Sequence, residues 1–143
     1  MISVPHSDAL RPAATGPDCL LISCSDLVPI FKQLNIQFDE AFLEDSAINS
    51  LQRSAKRYAS GEFKNHYKFV IVNLDDPTLL IGRFIVSLYK ILSSYPDVKI
   101  EVFATAATGS DRILKKCQEL KVHFISKPLT EAKLKSALKA HLH

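Results

Sequence analysis

Beyond residue 17 the chain alternates between short, wholly apolar runs and longer stretches whose apolar residues recur every three or four positions. Cys19-Leu20-Leu21-Ile22 reads as a strand buried on both faces. Leu27, Ile30, Phe31 and Leu34 give a brief helical pattern, and Ile36-Gln37-Phe38-Asp39 alternates as a half-buried edge strand. Asp45-Ser46 is expected to cap a helix with Ala47, Ile48, Leu51, Ala55 and Tyr58 on its apolar face, and Ser60-Gly61 to end it. Phe69-Val70-Ile71-Val72 is the clearest strand, apolar throughout and rich in β-branched residues. Asp76-Pro77 breaks it, and residues 78–94 form a long predicted helix closed by Pro96. Residues 100–104 are a fourth strand. Gly109-Ser110 then opens a helix with Ile113, Leu114, Cys117 and Leu120 on one face, and residues 122–125 are a fifth strand. After Pro128, Thr130 caps a last helix that turns Leu134, Ala137, Leu138 and Leu142 inward.

Five strands each followed by a helix predict an α/β domain: a (βα)5 three-layer sandwich around a parallel sheet, with right-handed crossovers. Residues 1–17 stand apart. They hold three of the seven prolines and no periodicity, and are expected to be a flexible arm or inter-domain linker, the globular domain being 18–143. On that reading the chain is a piece of something longer.

Composition removes several classes. With 143 residues, 47% hydrophobic and 23% charged, the chain has the size and apolar content of one globular domain. The longest apolar stretch, about residues 79–92, is broken by Gly82, Arg83, Ser87 and Lys90, so no membrane insertion is expected. The N-terminus lacks the apolar core of a secretory signal, which places the protein in the cytoplasm. Cys19, Cys24 and Cys117 have no metal-ligand spacing, so neither disulfide framework nor metal site is expected. The net charge of +3 is mild. The basic cluster Arg53, Lys56, Arg57, Lys64 and Lys68 matches no nucleic-acid motif and reads as a solvated helix face. Four glycines and no GxGxxG leave no dinucleotide site, and no cofactor is expected.

In a parallel sheet of this kind, ligands bind beyond the carboxyl ends of the strands. Those ends carry Ser23 to Asp26, Asn73 to Asp76, Thr105 to Ala107 and Ser126 to Pro128. With "VFATAA" at 102–107 and "VHFISKPLTEAKLKSAL" at 122–138, the chain from about residue 18 resembles the receiver domains of two-component signalling, which have a flavodoxin-like fold. Such a domain carries an acidic pair after strand one, a phospho-accepting Asp ending strand three, a Thr or Ser after strand four and Lys-Pro after strand five. The resemblance maps the hydroxyl onto Thr105, the Lys-Pro pair onto Lys127-Pro128, with the bond cis, and the switch-linked aromatic onto Phe124. It also departs. Counting back from Pro77 puts Asn73 at the acceptor position, and the acidic pair falls on Ser23-Cys24, or on Cys24-Ser25 if the register shifts by one. Asp26 is the only carboxylate near.

Phosphoryl transfer needs a carboxylate nucleophile, and a carboxamide oxygen is far too weak. It also needs Mg²⁺, normally held by one or two carboxylates. The resemblance therefore implies a degenerate pseudo-receiver: a non-enzymatic interaction or regulatory module. Its partners would be histidine kinase or other signalling-protein domains, in the same polypeptide or another, with the last-helix side as docking or homodimer face. Two alternatives stand beside it. One is an active receiver using Asp75 or Asp76, residues read mainly as turn formers before Pro77. The other is a cysteine-based phosphocarrier or phosphatase using Cys24, although Asp26 and Pro29 suit a phosphate cradle poorly. Taken alone, Thr105 is equally well read as satisfying a backbone group, Lys127 as a solvated loop lysine and His123 as structural.

Overall fold

The computed structural model describes residues 13–107 and 111–141. Its five strands are β1 (Cys19–Ile22), β2 (Phe38–Ala41), β3 (Phe69–Asn73), β4 (Glu101–Ala106) and β5 (His123–Ser126). They form one sheet in the order β2-β1-β3-β4-β5, every pairing parallel. The helices are α1 (Val28–Gln33, entered by a 3-10 turn at Ser25–Leu27), α2 (Glu44–Ala59), α3 (Ile81–Ser93), α4 (Asp111–Glu119) and α5 (Glu131–Ala137). This is the expected flavodoxin-like (βα)5 architecture.

The strand sequences explain the order. The central strands β1, β3 and β4 are mostly apolar and buried along nearly their whole length, as strands covered on both faces must be. The edge strands β2 and β5 are buried at one position each, Ala41 and Ile125. Because successive side chains point to opposite faces, each central strand feeds two cores. Leu20, Ile22, Val70, Val72, Val102 and Ala104 pack beneath α2, α3 and α4. Cys19, Leu21, Phe69, Ile71, Phe103 and Ile125 pack against α1 and α5 through Phe31, Leu134 and Leu138.

Several boundaries differ from the expectation. The edge strand lies two residues later than its alternation suggested, and β4 and β5 each run one or two residues further. Helix α2 starts at Glu44, with Leu43 in the capping position and no side-chain cap; Glu44 and Asp45 instead place acidic charge in its first turn. Gly61 ends it at φ +81°, where a side chain would be strained. Helix α3 begins at Ile81, not Thr78. Asp76 Oδ1 accepts hydrogen bonds from both the Thr78 N–H and its hydroxyl, which holds that stretch as a turn. The Thr130 cap is as expected, its hydroxyl oxygen accepting from the Lys133 N–H.

The expected arm is partly tied down. Asn65 accepts from the Gly16 N–H (2.7 Å) and donates to the Gly16 carbonyl (2.8 Å), and Ala14 bridges to Phe63. A Cβ on Gly16 would sit 2.7 Å from the Phe63 ring, so this approach requires glycine. Residues 1–12 of the arm, the expected helix start at Gly109-Ser110 and Leu142 lie outside the described residues. The basic cluster is a solvated face in which Arg57 pairs with Glu62 and lies over Phe63, and Lys68 pairs with Asp18.

Candidate functional site

Three of the expected site residues share one side of the sheet for a simple reason. Asn73, Thr105 and Lys127 each follow by two positions a residue that faces the α1/α5 core: Ile71, Phe103 and Ile125. The register sets Asn73 beside Thr105 and Thr105 beside Ile125. The Lys127-Pro128 bond is cis. Lys127 Nζ donates to Asn73 Oδ1 at 2.9 Å, and Asn73 Nδ2 donates to the Ser23 carbonyl at 2.9 Å. The carboxamide thus bridges the ends of β1 and β5.

Asp75 does more than its place in the turn before Pro77 suggests. Its Oδ2 accepts from Lys127 Nζ at 2.8 Å and from the Ala107 N–H at 2.9 Å, while the Asp75 N–H donates to Asn73 Oδ1 at 3.0 Å. Asp75 is therefore more than a turn former: it is the carboxylate of the crevice. Its hydrogen bond from Lys127 holds its carboxyl below the usual range, helped by the Ala107 N–H. Asp76 turns the other way, accepting from the Ser23 hydroxyl at 2.8 Å and from Thr78, and these bonds depress its carboxyl too. The available signal was the pair of acids between the strand-end Asn73 and Pro77. Sequence spacing alone does not say which of the two turns inward.

The remaining positions divide. Ser23 has a left-handed backbone (φ 56°), which rotates its hydroxyl toward Asp76. Cys24 turns into the α1/α5 core, its thiol directed at the Ile22 and Ile71 carbonyls. Burial, reinforced by Asp26, pushes that thiol up to about 12. A protonated thiol packed in the core is not a nucleophile, which speaks against the cysteine-based alternative. Thr105 is completely buried, yet its hydroxyl has no hydrogen-bond partner, so the bland expectation that it satisfies a backbone group is corrected. Phe124 is half-buried against the other core. His123 is exposed, 3.3 Å from Glu101 and lying against the Phe103 ring.

A receiver-like site would hold Mg²⁺, and these residues do not fit it. At the positions where carboxylates would ligate stand a serine, a buried thiol and a carboxamide. Asp75 is engaged by Lys127, Asp26 is exposed, and no group of three or more His, Cys, Asp or Glu among the described residues can hold a metal ion.

Solved structures of similar shape include two-component response regulators and a receiver domain. A two-component response regulator from Legionella pneumophila superposes with a TM-score of 0.65 at 21% identity, covering 87% of this chain and 98% of that one. One from Cytophaga hutchinsonii gives 0.66 at 18% identity, covering 91% and 97%. A variant of the receiver domain of the histidine kinase CKI1 from Arabidopsis thaliana gives 0.70 at 12% identity, covering 88% and 91%. The fold is that of a receiver domain. No protein-family model matches the sequence, and no curated protein matches it significantly. Among the described residues no helix is long and apolar enough to cross a membrane.

Proposed function

We propose that this receiver-fold chain is a pseudo-receiver: a non-enzymatic, cytoplasmic regulatory or interaction module of two-component signalling, working with histidine kinase or other signalling-protein domains. The observation that carries this reading is the carboxamide of Asn73, held by Ser23 and Lys127 where a phospho-accepting carboxylate would stand. The carboxylate that does meet Lys127 belongs to Asp75, two residues beyond the strand end, and its Oδ2 is already occupied by that ammonium and by the Ala107 N–H. Asp76 is engaged by Ser23 and Thr78. Without a metal seat, the charge of an incoming phosphoryl group has little to balance it.

The test is incubation of the chain and its Asn73→Asp variant with acetyl phosphate and Mg²⁺, followed by intact-protein mass measurement. Neither is expected to gain a phosphoryl adduct, because the substitution restores a nucleophile but not the metal ligands. A stoichiometric adduct on the unaltered chain, mapped to Asp75 or Asp76, would make it an active receiver instead. An adduct on the variant alone would show that the charge is balanced by some other acid, Asp26 included.

A further inference from the structure

The large apolar side chains exposed among the described residues are not on α5, the side first expected to dock partners. Phe42 and Leu43 lie between β2 and α2, Leu80 precedes α3, Val86 and Tyr89 lie on α3, and Leu114 on α4. Leu80, 53% exposed, marks the mouth of a groove of about 770 Å³ between the start of α3 and α4. The apolar lining is Leu74, Leu79, Leu80, Ile81 and Ile113. Along α4 the groove is bordered by Arg112, Lys115 and Lys116, with Glu119 one turn further, and along α3 by Arg83. Arg83 is neutralised by Glu44 at 2.7 Å, whereas Arg112, Lys115 and Lys116 have no ion pair among the described residues.

The spacing of the three cations is informative. Arg112 lies three positions before Lys115 and four before Lys116, so the three cations form one cluster on the exposed side of α4. A ligand that matches them carries a group of carboxylates beside an apolar stripe that covers the lining. An α-helix with acids and leucines on adjacent faces has that pattern, and two flanking helices leave the trough such a segment occupies. We propose that the groove is a docking site for an acidic amphipathic helix of a partner protein. Its apolar face would cover Leu79, Leu80, Ile81 and Ile113, and its carboxylates would face Arg112, Lys115 and Lys116. Nothing in this depends on the chemistry at Asn73, and the binding experiment uses no phosphodonor, so the two readings fail separately.

The probe is a fluorescent peptide of about four helical turns, with a leucine stripe flanked by glutamates, titrated into the full chain and followed by anisotropy and amide chemical shifts. Saturable binding is expected, with shifts confined to residues 79–83 and 112–119. Raising salt from ~50 to ~500 mM should weaken it, since the Debye length shortens severalfold. The double variant K115E/K116E should lose about tenfold or more in affinity, and Leu80→Asp should weaken binding with the cations intact, which keeps the test open if the first variant folds poorly. The idea is overturned if binding does not saturate by about 1 mM peptide, the weak end of useful affinities. It is equally overturned if a lysine-for-glutamate version binds as well, if the shifts map to α5, or if decanoate or phosphatidylserine vesicles bind with the same residue dependence while the peptide does not.

Discussion

The two halves of the crevice handle charge differently. On the β1 and β3 side the strand-end positions are neutral: Ser23 faces Asp76, Cys24 is packed in the core, and Asn73 contributes a carboxamide. On the β4 and β5 side, Lys127 reaches across the sheet and finds its counter-charge two residues beyond the end of β3, on Asp75. A lysine with its side chain only 21% exposed favours an anion nearby, and a loop carboxylate meets that need as well as one on the strand. The ammonium thus keeps a charged partner although the strand-end acid is missing. A lysine after the fifth strand is therefore no evidence by itself of an acid at the end of the third.

The sharpest way to break this comparison is to put an acid back on the neutral side. Cys24 is 2% exposed, in a setting that favours the uncharged thiol. Cys24→Asp is expected to lower stability by about 2–4 kcal/mol at neutral pH, because the carboxylate loses water and has no arranged partners there. The sign with pH follows. Burial raises the folded-state pKa of this acid, so the penalty is fully present at high pH and shrinks as pH falls and the group protonates. Urea unfolding at pH 7 and pH 5 measures both. A loss under about 0.5 kcal/mol, the range of ordinary surface changes, would mean that the β1 end opens to water as readily as the β5 end.

That asymmetry also marks what the sequence could show. The strand order, the two cores and the positions of Asn73, Thr105 and Lys127 were legible because a period of two, applied to continuous apolar runs, leaves little freedom. The start of α3 was not, since it depends on Asp76 choosing Thr78 as a partner. The role of Asp75 was hidden for a related reason. Its inward turn is set by contacts with Lys127 and Ala107, respectively 52 and 32 residues away, and no local pattern encodes them. The tether at Gly16 depends on Asn65, 49 residues on, and is equally invisible from the proline-rich text around it.

Thr105 sharpens the comparison from the other side. Its hydroxyl is buried and unpartnered next to Asn73 in the register, so it carries a desolvation cost with no bond to offset it. Thr105→Val keeps the shape and removes the polar atom, and is expected to raise stability by about 1 kcal/mol. Thermal and urea unfolding would check it. A destabilised variant would show that the hydroxyl has a partner in solution, and the β4 side would then be a working polar site.

The smallest expected effect tests the Lys127–Asp75 pair itself. Lys127→Met keeps much of the alkyl stem while deleting the ammonium that hydrogen-bonds Asp75. That bond is the leading reason the Asp75 carboxyl lies below its ordinary value of 3.8, with the Ala107 N–H also lowering it. A depressed folded-state pKa contributes stability that is present above the unfolded value, near 3.8, and is lost as pH falls through the lower folded value. The variant should therefore lose part of the wild-type acid dependence below about pH 4. At neutral pH its stability should fall by less than about 1 kcal/mol, because the Asp75 side chain is 38% exposed and solvent screens the pair. Carboxyl-detected NMR titration reads the site directly: the Asp75 midpoint should move up toward 3.8 in the variant and remain below it in the parent. An unmoved midpoint would assign the depression to the Ala107 N–H alone, and the Asn73 carboxamide would then be the main hydrogen-bond partner of Lys127.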